Sequence, residues 1–348
     1  MGLLVTILSL SLVLILAVLP FGVSVFLYRR YFGSRYTTKE ALAYRLEDFP
    51  GLMREKYEFP SNKGQLLTGY RYYRESETVK GVVVIAHGLG GGHNSYMDCA
   101  NYFTQHGYDV FAYDVTGNDE SEGSSVNGLP QGVIDLHYTI SFLESQEVFQ
   151  ELPIMLFGHS WGGYSVCNVL NQHPEVKAVV SMAGFNRSSD MIQSGGESFV
   201  GKFINVLLPY IRLYETVRFG KYATQTAMDG FAHSNAAVFV IHSGNDDVVP
   251  KKFGYDIYYK TYGDSPRFLF LSDPEKGHNR LYYSDAAITY LNRFNSDFAD
   301  RFQASGEELT PEKWAEYVRE HLDRSVWANL LDEELFGQFV AFYDAHLS

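Results

Sequence analysis

The chain has 348 residues, 46% hydrophobic and 20% charged, a composition that excludes disorder and suits one large domain with a small insertion. A formal net charge of −13 excludes a surface built to neutralise phosphates, so no nucleic-acid partner is expected. Two cysteines, Cys99 and Cys167, supply neither a disulfide framework nor a metal site, and both are expected as buried thiols in helices. The 26 tyrosines and 25 phenylalanines are expected mainly in a packed core, with an acyl-binding groove as the sharper alternative.

Residues 1–28 contain no charged side chain, and 3–28 are mostly Leu, Val, Ile and Phe. As a helix that run would reach about 39 Å, more than the roughly 30 Å of a bilayer's hydrocarbon core. A signal peptide would carry a positive start, a shorter apolar run and a small-residue cleavage site, and none of these is clear. Residues 1–30 therefore read as an uncleaved, single-pass transmembrane anchor. Arg29, Arg30, Arg35 and Lys39 follow the apolar run directly, which places the domain beyond it on the cytoplasmic side by the positive-inside rule. A juxtamembrane segment, 31–54, comes next.

Residues 65–74 have strand-like density. The run 81–86, GVVVIA, is short, β-branched and followed by glycines, as a strand buried on both faces requires. The pattern then predicts a helix over 95–106, a strand over 108–113, a helix over 132–146, a strand over 153–157, a helix over 161–172 and a strand over 176–182. Strands over 236–242 and 267–271 complete the set. Strands alternating with helices imply an α/β domain over 55–304 with a mainly parallel, doubly wound sheet. Residues 186–235 break that rhythm, being too long for a simple crossover, and carry Phe199, Phe203, Leu207, Tyr210, Ile211 and Tyr214 at roughly helical spacing. From 305 to 348 a C-terminal helical extension is expected. Thr310-Pro311 is a good helix start, and Leu335, Phe336, Phe339, Val340 and Tyr343 mark an amphipathic last helix read as packing.

The chemistry centres on Gly158-His159-Ser160-Trp161-Gly162, a G-x-S-x-G. Chance alone would place one in roughly one chain in ten of this length. Its setting adds weight, because a predicted strand precedes it and a predicted helix follows, the geometry of a nucleophile elbow. A serine hydroxyl needs a base to take its proton and an acid to orient that base. Asp246 follows a predicted strand, and His278 lies in the loop after the next one. Ser160, Asp246 and His278 thus stand in the order Ser…Asp…His, with His278 as base and Asp246 as its orienting acid. Asp247 competes for the acid's role; Asp246 is preferred because it leaves the Asp-x-Val-Val-Pro spacing intact. Of the other histidines, His159 flanks the nucleophile, while His106, His173 and His346 read as surface or helix-end residues. His87-Gly88-Leu89-Gly90-Gly91-Gly92 follows the GVVVIA strand. There the backbone N–H of Leu89, with that of Trp161, could form an oxyanion hole. A dinucleotide cofactor is not expected, because His93 stands where G-x-G-x-x-G needs its last glycine. No H-E-x-x-H spacing offers a catalytic metal site.

Together, His87-Gly88, Asp114-Val115-Thr116-Gly117 with Ser121 and Gly123, Gly158–Gly162, Asp246-x-Val-Val-Pro and Gly277-His278 resemble the α/β-hydrolase superfamily. They are most similar to its monoacylglycerol lipase and serine aminopeptidase-like branch, over roughly 57–301. Asp119 departs from that pattern, standing where the branch usually has glycine. The resemblance implies an α/β-hydrolase fold, a lid formed by 186–235, and helices bearing Cys99 and Cys167 on opposite faces of the sheet. The expected activity is hydrolysis of a lipid-like or other apolar acyl ester through an acyl-Ser160 intermediate. An aminopeptidase or amidase using the same three residues is the alternative; it would need lid acids such as Glu197, Glu215 or Asp229 to meet a free amine. A non-catalytic, ligand-binding relative is the third reading.

Overall fold

The computed structural model describes residues 2–76, 78–306 and 308–347. Its centre is one eight-stranded sheet: β1 (Met53–Pro60), β2 (Leu66–Tyr73), β3 (Val82–Ala86), β4 (Asp109–Tyr113), β5 (Ile154–His159), β6 (Ala178–Met182), β7 (Ala237–Ser243) and β8 (Phe268–Asp273). The spatial order is β1-β2-β4-β3-β5-β6-β7-β8. The pairings β1–β2 and β2–β4 are antiparallel and the rest are parallel. In β3 the side chains of Val82, Val84 and Ala86 enter one hydrophobic cluster and those of Val83 and Ile85 the other. That two-sided burial explains why β3 reads as an unbroken apolar run. β1 was not among the expected strands. It is an edge strand whose Arg54, Glu55, Lys56 and Glu58 are exposed, so no such run announces it.

The helices follow in chain order. α1 (Gly2–Phe32) is 31 residues, long and apolar enough to cross a membrane. A π-helical turn, Leu14–Val18, interrupts it just before Pro20. Its side chains are exposed up to Leu19, but Ser24, Tyr28 and Phe32 are buried against the domain. α2 (Met97–Gln105) follows β3, α3 (Leu129–Ser145) follows β4, and α4 (Trp161–Asn168) follows β5. Between β6 and β7 stand four helices: α5 (Ser188–Val200), α6 (Ile204–Phe219), α7 (Lys221–Thr224) and α8 (Ala227–His233). α9 (Tyr255–Tyr262) links β7 to β8, and α10 (Asp285–Ser305), α11 (Pro311–His321), α12 (Arg324–Trp327) and α13 (Glu333–Asp344) complete the chain.

One cluster holds side chains of α1, α3, α4, α6, α8 and α9; the other holds those of α2 and α13. Cys99 and Cys167 are free, buried thiols that fall in different clusters, hence on opposite faces of the sheet. The last helix covers the sheet directly. Phe336 and Phe339 both pack tilted against Phe157, Tyr343 packs on Phe103, and the Tyr343 hydroxyl donates to the Leu156 carbonyl at 2.8 Å. The residues after α1 also lie on the domain. Tyr44, Phe49 and Leu52 are buried in the α2 cluster, and the Tyr44 hydroxyl donates to Asp98 at 3.0 Å.

Candidate active site

Ser160 sits between the end of β5 and the start of α4 with φ 59° and ψ −115°. A non-glycine residue at positive φ is strained and persists only where its surroundings hold it. Here the Ser160 N–H donates to the Met182 carbonyl at 2.8 Å, and the Ser160 carbonyl accepts from Tyr164 at 3.0 Å. The flanking glycines allow the turn. A Cβ on Gly158 would collide with the Gly162 carbonyl, and one on Gly162 with the Ala86 carbonyl at the end of β3. Strand, sharp turn and helix thus present the serine hydroxyl at the C-terminal end of the sheet.

The loops after β7 and β8 bring two partners to it. His278 Nε2 lies 2.8 Å from Ser160 Oγ, and His278 Nδ1 lies 2.7 Å from Asp246 Oδ2. The other carboxylate oxygen, Asp246 Oδ1, accepts from the backbone N–H groups of Val248 and Val249 at 3.0 and 2.8 Å. Burial opposes ionisation of Asp246. Hydrogen bonds from His242, His278 and the Val249 N–H outweigh it and hold the carboxyl well below the usual carboxylate range. An ionised Asp246 can only accept, so it fixes the His278 proton on Nδ1 and aims the Nε2 lone pair at Ser160. That arrangement can take the serine's proton during attack on a carbonyl. Asp247, the competing acid, is exposed and lines a shallow depression with Lys276, His278 and Arg280.

The glycine-rich loop after β3 lies beside the serine: a Cβ on Gly88 would stand 3.5 Å from Ser160 Cβ. Among the described residues, the backbone N–H groups of Leu89 and Trp161 have no hydrogen-bond partner. Two orphan donors flanking a serine hydroxyl can receive a developing oxyanion, and the α4 N-terminus favours the same charge. His87 stiffens this loop. Its Nε2 accepts from the Val115 N–H at 3.0 Å, which leaves Nδ1–H to donate to the Gly88 carbonyl at 2.8 Å.

Three further residues serve the site, and the motifs alone do not give them these roles. His242, fully buried at the end of β7, places Nε2 3.3 Å from Asp246 Oδ2 and 2.8 Å from the Val249 carbonyl. The Tyr96 hydroxyl accepts from the Gly88 N–H at 3.1 Å and donates to His159 Nδ1 at 3.0 Å. His159 Nε2–H then donates to the His278 carbonyl at 2.9 Å. Burial, with the charge of His278 adding to it, lowers His159 to about 3, so the ring stays neutral and can accept on one nitrogen while donating from the other. A continuous set of bonds therefore runs from the oxyanion loop to the backbone of His278. The available signals were a histidine immediately before the nucleophile and another four residues before Asp246.

His173, expected at a surface or a helix end, lies just past the helical turn that ends at Asn171; there it is buried, bonded to His137 at 2.8 Å and to Glu175 at 2.7 Å. Its ring, Glu144 and Glu175 bring donor atoms within 4.8 Å of one another, but at the N-terminal edge of β6, the opposite end of the sheet from Ser160. Asp119, the departure from the family pattern, takes a positive φ of 33°, a conformation that suits glycine. Its carboxylate accepts from the Thr38 N–H at 2.5 Å and the Thr38 hydroxyl at 2.6 Å. The aspartate thus fastens the segment that follows α1 beside the oxyanion loop.

Comparison with known proteins bears on the fold and on the central segment of the chain. The family model described as serine aminopeptidase, S33 matches residues 77–225, which include Leu89, Ser160 and Trp161 but stop short of Asp246 and His278. The monoglyceride lipase of Rattus norvegicus is 28% identical over 151 residues, and that of Homo sapiens 27% over 154; each alignment covers 41% of this chain and 48% of the relative. The chain thus spans about half the length of the curated relatives it matches. Among solved structures, an esterase of Pyrococcus furiosus superposes with a TM-score of 0.55 at 14% identity, covering 78% of this chain and 98% of that one. The acylaminoacyl peptidase of Pyrococcus horikoshii superposes with a TM-score of 0.52 at 17% identity, covering 87% of this chain and 43% of that one. These structural likenesses speak to the fold, with which the order of the eight-stranded sheet agrees. The chain has an α/β-hydrolase fold and is similar, over residues 77–225, to the serine aminopeptidase S33 family and, over about 150 residues, to monoglyceride lipases.

Proposed function

We propose that the chain is a serine hydrolase that cleaves a carboxylic ester with an apolar acyl part, with Ser160 as nucleophile, His278 as general base and acid, and Asp246 as the acid that orients it. The observation that carries this reading is the single hydrogen-bonded line from Ser160 Oγ through His278 to Asp246, beside two unpartnered N–H groups. Ser160 Oγ attacks the acyl carbon as its proton passes to His278 Nε2. The Leu89 and Trp161 N–H groups receive the oxyanion, each such donor typically lowering the barrier by about 2.7–4 kcal/mol. His278 returns the proton to the departing alkoxide, and a water then attacks the acyl-Ser160 ester by the same route in reverse.

Residues 186–235 act as a lid. Phe199, Phe203, Val206, Leu213 and Val217 are exposed on its helices, an apolar face that suits an acyl ester supplied from lipid. α1 serves as a single-pass anchor, and Arg29 and Arg30 at its end favour a cytoplasmic domain. The similar proteins, monoglyceride lipases and an esterase, point the same way. The aminopeptidase alternative needs a lid carboxylate for a substrate ammonium. Of the three candidates, Glu215 is buried and engaged by Tyr28 and Ser188, and Asp229 caps the start of α8 through Thr226. Glu197 is exposed near the far end of α5. That disposition favours the ester.

Fluorophosphonate labelling tests the reading. The wild-type chain takes the label and Ser160→Ala does not; a folded wild type that takes none removes the hydrolase assignment. A chain-length series of p-nitrophenyl esters set against aminoacyl amides then decides ester from amide.

A further inference from the structure

The buried face of α1 is built like part of the domain. Ser24, Tyr28 and Phe32 recur every four residues, a single helical stripe, and all three are buried. Opposite them lies α6 of the insertion. The Tyr28 hydroxyl donates to Glu215 Oε1 at 2.8 Å, and the Ser188 hydroxyl at the start of α5 donates to the same oxygen at 2.6 Å. Glu215 is 1% exposed, so this three-membered chain is sealed from water. Higher on the helix, Pro20 has no N–H, which leaves the carbonyl four residues earlier, that of Leu16, without its α-helical donor. The Tyr210 hydroxyl of α6 donates to that carbonyl. Tyr28 and Tyr214 also meet edge to face at 5.2 Å. With the Ser24 hydroxyl donating to the Leu207 carbonyl and the Arg29 Nε–H to the Tyr214 hydroxyl, both at 3.4 Å, four polar groups of α1 find partners on α6.

Both ends of this contact lead to Ser160. Ser188 lies three residues beyond Phe185, whose ring stacks flat on Tyr164 at 4.5 Å, and the Tyr164 N–H holds the Ser160 carbonyl. On the other side, the Tyr28 hydroxyl and the Phe219 ring press on Gly128, where a Cβ would collide with Tyr28. Gly128 has φ +146° and immediately precedes Leu129, whose carbonyl accepts the Trp161 indole N–H at 2.8 Å. Trp161 supplies one of the two orphan backbone donors beside the serine. One membrane-type helix therefore abuts the support of the oxyanion site on one side and the root of the insertion on the other.

We infer that Tyr28 and Glu215 are positioning residues of the reaction: through them α1 holds α6 and the root of the insertion at a fixed place beside Ser160, so the helix is a wall of the substrate site as well as a tether. The inference rests on the proposed hydrolase reading. It does not depend on which way the helix crosses a membrane.

The test uses the full-length chain in detergent with a short, soluble ester, so that delivery from lipid plays no part. Tyr28→Phe removes one hydroxyl and Glu215→Ala removes the shared acceptor. Each raises KM about fivefold or more while kcat stays within about twofold and Ser160 still takes the fluorophosphonate label. Glu215→Gln keeps an amide oxygen for both hydroxyls and returns KM to within twofold of wild type. A purely structural role would lower the melting temperature without that split or that rescue. Wild-type KM in both Tyr28→Phe and Glu215→Ala, or a Glu215→Gln variant no better than Glu215→Ala, overturns the inference while labelled wild-type enzyme leaves the hydrolase reading standing. A wild type that neither labels nor hydrolyses the ester overturns both.

Discussion

Replacing Asp246 by Asn is the sharpest test of how the site works, because the structure says what each amide atom would do. The amide oxygen keeps the place of Oδ1, accepting from Val248 and Val249, so the loop is expected to hold. The amide nitrogen then faces His278 Nδ1, 2.7 Å from the present Oδ2. Two donors cannot share that contact, so the His278 proton moves to Nε2 and points at Ser160 Oγ. The ring can no longer take the serine proton. The lost attraction between carboxylate and imidazolium is also large: at an effective dielectric of 20, unit charges this close interact by roughly 6 kcal/mol. A loss near 10⁴-fold in kcat corresponds to about 5.4 kcal/mol, the same scale and that found when this substitution is made in other serine hydrolytic sites. The assay is kcat and KM for a p-nitrophenyl ester near neutral pH, with Asp247→Asn as the paired variant. An Asp246→Asn enzyme within tenfold of wild type, or an equal loss in Asp247→Asn, refutes the assignment.

Three other outcomes are expected. Ser160→Ala should abolish fluorophosphonate labelling and lower kcat by about 10⁶, measured against active-site-titrated wild type. Tyr96→Phe leaves the Gly88 N–H and His159 Nδ1 without partners; each orphan costs about 1–3 kcal/mol of stability, read by denaturant melts, and kcat should fall about tenfold because Gly88 precedes the Leu89 donor. Glu215 gives a pH dependence of stability. Burial raises its carboxyl to about 7, against hydrogen bonds from Ser188 and Tyr28 and the charge of Arg212 on its own helix, with Tyr164 facing it from α4. The folded chain therefore favours the protonated acid, and this contribution is full below the ordinary glutamate value and lost as pH rises through about 7. The loss should be on the order of 3 kcal/mol between pH 5 and 8, and Glu215→Gln should flatten it; parallel melting curves for the two chains would argue against a buried, protonated Glu215.

The parts of this molecule that were legible in its sequence are those whose physics is local. A strand covered on both faces must be apolar throughout, so β3 to β7 stood out. A serine forced to positive φ with a helix and a strand crowding it needs glycine two residues to either side, so the elbow stood out too. Asp246 and His278 were singled out from their loops, and they lie in hydrogen-bond reach of one another and of Ser160. β1 was hidden because its edge position leaves charged side chains in water. His242, His159 and Tyr96 were hidden for a different reason. Tyr96 meets His159 across 63 residues of sequence and His159 meets the His278 carbonyl across 119, and no periodicity encodes a meeting at that distance. The burial of His173 at its helix end was hidden on the same account, since its partner His137 lies 36 residues away on α3.

The N-terminal helix shows the limit of composition most clearly. Averaged over its length, α1 is an apolar rod, and an apolar rod says only that it can lie in lipid. The averages conceal two kinds of residue. Up to Leu19 the side chains point outward and carry no polar partner beyond the helix itself, apart from the Leu16 carbonyl met by Tyr210. From Ser24 onward a polar and aromatic stripe turns toward the domain and meets Glu215 across 187 residues of sequence. In hydrocarbon an unpaired carbonyl or hydroxyl is expensive, so a helix selected only to tether would be expected to lack Pro20 and the Tyr28 hydroxyl, or to leave them facing a neighbouring span. Here the partners come from the insertion, 186–235, proposed above as a lid. A chain cut after residue 30 would leave Glu215 without the Tyr28 donor, Gly128 without its cover and the Phe219 ring facing solvent. Solubility would improve, and the same cut should raise KM for a short ester as Tyr28→Phe does.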